Sequence, residues 1–380
     1  MARGRRELRR RRPTPLSACR EAVIPVQPYA QPIGWPDARF GGRGDGEPTL
    51  RVALDSRPAA DSGGVGRYSR CLLAALRRTA AEADEVLETN RPSSTVRTQG
   101  TDVFHSPWMD GAMLHSPCPM VVTVHDVAQL KRRSEHLNPS LRLRLRPLAV
   151  QRAAGVIVPT QAVAEDAVRH LRLDPGRIAV IAEAADSSMY PRPPAEIASL
   201  RAQLGLPERY LLSVGGLEHP ESGTHIARLA ATPRRLPLVM AGPTRPWARE
   251  LSNVTLTGRL PDEQLAALYS GAHALVISSQ REGFGLAGVE ALACGTPVVA
   301  CDSPPLREAL GRRATFVAPG NMTALIETAE EIARPAPPPL PWTWEDAARA
   351  TWNVYAKALA RLDQPRLAPA AIPRRTLRAQ

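Results

Sequence analysis

Short apolar runs recur along this chain. Each is closed by turn residues, and most are followed by a helical pattern. The first is LRVALD at 50–55, which has the look of a buried parallel strand. DSGGVGRYSRCLLAALRR follows, with Val65, Tyr68, Leu72, Leu73 and Leu76 at helical spacing. Gly63, Gly64 and Gly66 therefore stand at a helix entrance, in a unit that offers free backbone N–H groups to an anion. Further strands are predicted at DVFHSPW, PMVVTVHD, GVIVPT and RIAVIAEAAD, with a helix at QAVAEDAVRHLRL. Proline then concentrates in YPRPPAE at 190–196, as in a linker. A second series of strands opens beyond it: YLLSVGG, LPLVMAG, NVTLTG, HALVISS, TPVVAC and ATFVAP. After RPAPPPLP comes a last helix in WEDAARATWNVYAKALARL, with Trp344, Ala348, Thr351, Trp352, Tyr355 and Leu359 on one face.

Strands alternating with helices, twice over, predict two doubly wound α/β domains. The expected divisions are a disordered basic extension at 1–48 and a first domain at 49–190. A second domain at 191–345, a helix at 346–362 and a basic tail at 363–380 complete them. The length of 380 residues suits two ordinary domains.

Charge alters this picture at the ends. Lys and Arg total 49 against 37 Asp and Glu, a net +12, and residues 1–48 alone hold 10 Arg against 5 acids. Such a balance points to an anionic partner. No nucleic-acid motif accompanies it, and the arginines crowd into the tails, so nucleic acid is not expected as a partner. The extension lacks the apolar centre of a secretory signal, and it is read as disordered or as an upstream-start artefact. Five scattered cysteines, with neither C-x-x-C pairs nor a Cys/His pattern, suggest a reducing, cytoplasmic setting and no disulfide framework. The sequence holds no apolar run near 18 residues.

The most unusual stretch is REGFGLAGVEALACGTPVV at 281–299. Glu282 and Glu290 stand eight positions apart, with Gly283 and Gly285 at the mouth of a helix between them. Eight helical positions correspond to roughly 12 Å. A nucleoside diphosphate sugar fits that scale, with hydroxyls at both ends and an anion for the helix mouth. Two solvated glutamates at a helix end would give the same spacing.

With its flanking segments this stretch resembles the signature of family 4 glycosyltransferases, retaining enzymes of the GT-B fold. GRLPDEQLAALYSGAHALVISSQ, GGVGRY, DVFHSP, VVTVHD and WEDAARATWNVY resemble family segments in the family order, across about residues 50–362. The resemblance implies two Rossmann-like domains facing across a cleft, with the final helix crossing back to the first. It implies Glu290 on the donor ribose and Glu282 on the hexose. Phe284, Gly285 and Leu286 would offer backbone groups near sugar and diphosphate. Gly63 and Gly64 would approach the diphosphate from the other domain. His125 would face the donor sugar, although standing alone it would read as a satisfied strand-end residue; His105 and His115 are read as structural. Asp126 and Arg67 are weaker acceptor-side candidates, Arg67 being either a solvated residue or a phosphate contact. No metal and no cofactor is implied.

Two departures bear on function. The family's second domain opens with Val-Gly-Arg and an Arg-Lys-Gly turn, whose cations neutralise the leaving diphosphate. Here Gly216 replaces the first arginine, and Glu221 and Ser222 stand in the turn. Arg245, Arg249 and Arg259 follow strands of the same domain and are candidate substitutes. Ala287 replaces the proline of the family's GFGLP, a minor change at a first helical turn.

The expected activity is therefore hexose transfer from GDP-mannose or a UDP-sugar to a glycan or lipid-linked acceptor hydroxyl. The alternative is a nucleotide-sugar-binding subunit impaired in turnover. A nucleotide-sugar epimerase on the same fold fits the two glutamates and GGVGRY less well. HLNPSLRLRLRPLAVQRA, with Arg142, Arg144 and Arg146, adds the expectation of peripheral contact with an anionic membrane, against the plainer reading of a surface helix with core leucines.

Overall fold

The computed structural model describes residues 49–61, 63–92, 100–127, 141–217, 223–339 and 341–361. The two basic ends lie outside these, as do Glu221, Ser222 and the side chains of Arg142 and Arg144.

The apolar runs become two parallel sheets of six strands each among the described residues. The first holds β1 (Arg51–Asp55), β2 (Glu85–Thr89), β3 (Val103–Ser106), β4 (Met120–Thr123), β5 (Gly155–Val158) and β6 (Ile178–Val180), in the order β2-β1-β3-β4-β5-β6. The second holds β7 (Leu211–Val214), β8 (Leu238–Ala241), β9 (Val254–Gly258), β10 (Ala274–Ile277), β11 (Val298–Cys301) and β12 (Ala314–Val317), in the order β12-β11-β10-β7-β8-β9. β3, β4, β5, β8, β10 and β11 are buried along their whole length. Burial on both faces explains why they read as apolar runs rather than alternations.

Helices cover the sheets. α1 (Gly64–Thr79) follows β1, α2 (Leu141–Gln151) precedes β5, and α3 (Gln161–Leu171) follows it. The second sheet carries α4 (Pro194–Leu204), α5 (Gly223–Ala231), α6 (Asp262–Gly271), α7 (Leu286–Ala293), α8 (Pro304–Leu310) and α9 (Met322–Glu331). α10 (Trp344–Ala360) then returns to the first sheet. Trp344, Ala348, Trp352 and Tyr355 pack there with Leu72, Leu76, Val121 and Ile157 in one core. This is the two-domain α/β arrangement of GT-B proteins, with the last helix crossing back.

A polar bond fixes that crossing. His105 on β3 meets the Tyr355 hydroxyl at 2.6 Å through Nδ1 and the Thr123 hydroxyl at 2.9 Å through Nε2. Burial pushes its pKa down to about 3, so the imidazole is a neutral core group, as its structural reading expects. On α2, Arg146 is only 12% exposed and pairs with Asp110, so it is not a free surface cation. That removes one of the three arginines from the expected membrane face. Among the described residues no helix is long and apolar enough to cross a membrane.

Candidate donor site in the cleft between the sheets

In a parallel sheet, the loops at the carboxyl ends of the strands build the site. Both sheets turn those ends toward a shared cleft of about 420 Å³, within the range of small-molecule sites. Gly63, Gly64, Arg67, His125 and Asp126 line it from the first sheet. Gly216, Glu282, Phe284, Gly285, Leu286 and Glu290 line it from the second. The residues singled out along 230 positions of sequence thus meet in one place.

The loop before α7 is shaped by glycine. Gly285 caps the helix at φ +85°, and a Cβ there would meet Leu306 at 2.3 Å. Gly283 lies against the other domain, where a Cβ would fall 1.8 Å from the His125 carbonyl oxygen. The Thr160 hydroxyl donates to the Gly283 carbonyl at 3.1 Å while accepting from Val163 N–H at the start of α3. One threonine therefore caps a helix in the first domain and holds the signature loop of the second.

The two glutamates differ in their surroundings. Glu290 is 3% exposed and inside α7. It accepts from the Tyr269 hydroxyl at 3.1 Å and is ion-paired with Arg67, which reaches across from α1. Arg67 also donates to Asp262 at 2.8 Å. Burial raises the Glu290 pKa to about 7 even against Arg67 and Tyr269. Burial works against the charge of Arg67 as well, but Glu290 and Asp262 outweigh it and raise its pKa. Glu282 sits at the cleft wall, and its pKa is also pushed up to about 7. Desolvation is the main cause there, with the nearby charges of Asp126 and Glu183 adding to it and a Ser279 hydrogen bond opposing it.

His125 lines the cleft, but its ring nitrogens are engaged within the first domain. Nδ1 meets Glu183 at 3.1 Å and Nε2 the Pro107 carbonyl at 2.9 Å. Both partners are acceptors, an arrangement that favours the protonated ring. Burial alone would lower its pKa, but the Glu183 bond and the Pro107 carbonyl outweigh that and raise it. Tyr68 stacks edge-on against it at 4.6 Å.

At the missing cations, Gly216 has φ +79° and Gly215 φ +81°. The position where an arginine is expected thus holds a backbone conformation that favours glycine. Of the candidate substitutes Arg259 lines the cleft, and Arg245 and Arg249 do not. Arg70, Arg281 and His225 line it as well, and His225 meets the Ser278 hydroxyl at 3.0 Å. Among the described residues no cluster of three or more His, Cys, Asp or Glu could hold a metal.

Glu183, Tyr269 and Asp262 were not among the expected site residues. Tyr269 was visible only as one apolar position in the LAALY run.

The fold and the cleft define a GT-B glycosyltransferase architecture. Residues 199–349 match the family described as glycosyl transferases group 1, and residues 90–188 match Glycosyltransferase Family 4. The chain belongs to the family 4 glycosyltransferases of GT-B fold. It is 30% identical over 273 residues to a D-inositol 3-phosphate glycosyltransferase of Gordonia bronchialis, covering 62% of this chain and 59% of that protein. It is 25% identical over 320 residues to the O-antigen chain mannosyltransferase B of Escherichia coli, covering 75% of this chain and 82% of that one. The chain thus spans only about three fifths of the Gordonia protein. Anabaena HepE, solved in complex with UDP and glucose, shares the fold at a TM-score of 0.59 and 20% identity, over 83% of this chain and 98% of that one. WaaG, a glycosyltransferase involved in lipopolysaccharide biosynthesis, shares it at 0.56 and 15%, over 83% and 96%.

Proposed function

We propose that this protein transfers a hexose, with retention, from a nucleoside diphosphate sugar to a hydroxyl of a glycan or lipid-linked acceptor. The observation that carries the reading is the placement of Glu290 and Glu282 about the mouth of α7 in one interdomain cleft. Glu290 takes the ribose hydroxyls, and Glu282 takes hydroxyls of the hexose. The backbone of Phe284, Gly285 and Leu286 lies beside sugar and diphosphate, and the amino end of α1 at Gly63 and Gly64 closes from the other side. Gly216 leaves open floor beneath the donor.

In the transfer the bond from the anomeric carbon to the diphosphate oxygen breaks, and a bond to the acceptor oxygen forms on the same face. The acceptor proton passes to the departing phosphate oxygen. No protein nucleophile is required, so the protein's work is positioning, exclusion of water and electrostatic stabilisation. His125 orders the sugar end of the cleft through its Glu183 bond. Asp126 is the acceptor-side candidate.

The Escherichia coli relative is named as a mannosyltransferase, which supports GDP-mannose as the first donor to test. HepE was solved with UDP and glucose, which supports UDP-glucose beside it. A subunit without turnover would rest on the missing Arg/Lys pair alone, and the relatives' names do not favour it. A calorimetric screen of GDP, UDP and their sugars, followed by assays of donor hydrolysis and transfer, tests the reading. Glu290→Ala should weaken donor binding, and Glu282→Ala should lower kcat more than affinity. Wild-type kinetics in both variants would overturn the site.

A further inference from the structure

Arg67 belongs to α1 in the first domain, yet both of its ion-pair partners lie in the second. One nitrogen donates to Asp262 at 2.8 Å, and Nε pairs with Glu290. The side chain is 12% exposed, and its Nη2 is buried without a hydrogen-bond partner among the described residues. A buried guanidinium with an unused donor is costly unless something completes it.

Glu290 is the carboxylate assigned to the donor ribose, and here it is already taken. One oxygen pairs with Arg67, the other accepts from Tyr269, and the group is 3% exposed. Arg67 covers the carboxylate on its cleft side, and its departure would open that oxygen to a ribose. Gly285 and Glu290 are five positions apart, so the α7 mouth lies roughly 7.5 Å along the axis from the Glu290 backbone. That distance suits a long, flexible arginine side chain.

Among the described residues, five carboxylates line the cleft (Asp126, Glu183, Asp262, Glu282 and Glu290) against four guanidiniums, an unfavourable balance for a diphosphate. Arg70 is held by the Ala59 and Asp61 carbonyls, and Arg259 and Arg281 are exposed. Arg67 is the guanidinium among these that is buried in the cleft with a free donor. Its planar fork suits phosphate oxygens.

We propose that Arg67 is a latch displaced by the donor. In the empty cleft it closes the domains by pairing with Glu290 and Asp262. When a nucleoside diphosphate enters, it releases Glu290 to the ribose and moves onto the diphosphate, supplying a cation where Gly216 supplies none. The inference rests on the donor-site reading given above.

Isothermal titration of GDP, UDP, guanosine and uridine tests it, against the wild type and the Arg67→Gln, Arg67→Lys and Asp262→Asn variants. The preference for diphosphate over nucleoside should fall at least tenfold in Arg67→Gln, with nucleoside binding unchanged or tighter. Arg67→Lys, which keeps the charge, should retain most of the preference, and it carries the test should Arg67→Gln not fold. Asp262→Asn removes one anchor of the latch and should tighten nucleoside binding a few-fold. Equal weakening of nucleoside and diphosphate in Arg67→Gln would make Arg67 a packing residue and overturn the cation role. Unchanged nucleoside affinity in Asp262→Asn would overturn the latch. A wild type that binds none of the four ligands would overturn the donor reading and this inference together, whereas a binding wild type with an unchanged preference overturns only the inference.

Discussion

At Gly283 the two halves of the cleft lie too close to admit a side chain. A Cβ at this position would stand 1.8 Å from the His125 carbonyl oxygen, a distance that forces movement. Gly283→Ala should therefore push the signature loop away from the first domain. The expected result is at least a tenfold loss in kcat/KM for the donor, about 1.4 kcal/mol or more, measured by steady-state kinetics. A melting temperature within a few degrees of wild type would accompany it, because the clash lies at the seam and not in a core. Glu282 supplies a second test at this scale. Its folded pKa of about 7 stands above the ordinary carboxyl value, so the native state holds a proton that the unfolded chain has lost. Its contribution to stability is thus present at low pH, declines as pH rises from about 4.5 to about 7, and is flat above. Glu282→Gln should remove that slope, on the order of 1 kcal/mol because the group faces the open cleft. Chemical denaturation across pH 4.5–8 measures it, and an identical slope in the variant would place the proton elsewhere. Glu282 and Glu290 were legible in the sequence because glycines and a helix start bracket them. Glu183 and Asp262 were not, because what makes them matter is a partner far along the chain: His125, 58 residues away, and Arg67, 195 residues away. Gly216 was legible as a lost arginine but not as a residue at φ +79°, since no local pattern encodes that turn.

At the scale of elements, the strands carried by apolar runs were readable, the edge strands β6, β9 and β12 among them, and β2 was not. β2 reads EVLET, with two glutamates among five residues, and it lies at the sheet's edge beside β1. β2 is mostly exposed or half-buried, so its sequence carries no apolar run and pairing with β1 makes it a strand. α10 shows the opposite case. Thr343 and Asp346 form a capping box at its start, and its aromatic face names its partners in advance. Thr343→Ala should cost about 1 kcal/mol, read as a shift of the denaturation midpoint at constant m-value. Tyr355→Phe should cost more, about 1–3 kcal/mol, because it leaves the buried His105 Nδ1 without its 2.6 Å partner. Equal midpoints for the Tyr355→Phe variant and wild type would mean that a water replaces the hydroxyl, and that the bond does not anchor α10 to β3.

At the scale of the molecule the two domains meet through polar contacts set beside apolar packing, in which Leu286 touches the cores of both domains. Glu308 on α8 accepts from the backbone N–H groups of Gln161 at 2.6 Å and Ala162 at 3.1 Å, so a carboxylate of the second domain caps α3 of the first. Such a position is favourable for negative charge. Burial nevertheless raises the Glu308 pKa, with the two N–H bonds opposing it. Thr160 on Gly283, Arg67 on Glu290 and Asp262, and the Trp342 indole on the Ala182 carbonyl add to the seam. Polar interfaces of this kind permit domain motion, and transfer that excludes water requires closure. Removing the cap should thus loosen the seam without unfolding either domain. Glu308→Ala is expected to give a larger radius of gyration in solution scattering without donor, and a donor KM raised about tenfold for a loss of about 1.4 kcal/mol. Excess donor should return the variant to the wild-type radius, because binding selects the closed arrangement. Glu308→Gln, which keeps one acceptor oxygen, should fall between the two. If Glu308→Ala scatters as wild type while its melting midpoint drops sharply, the contact stabilises α3 within its own domain and does not hold the cleft closed.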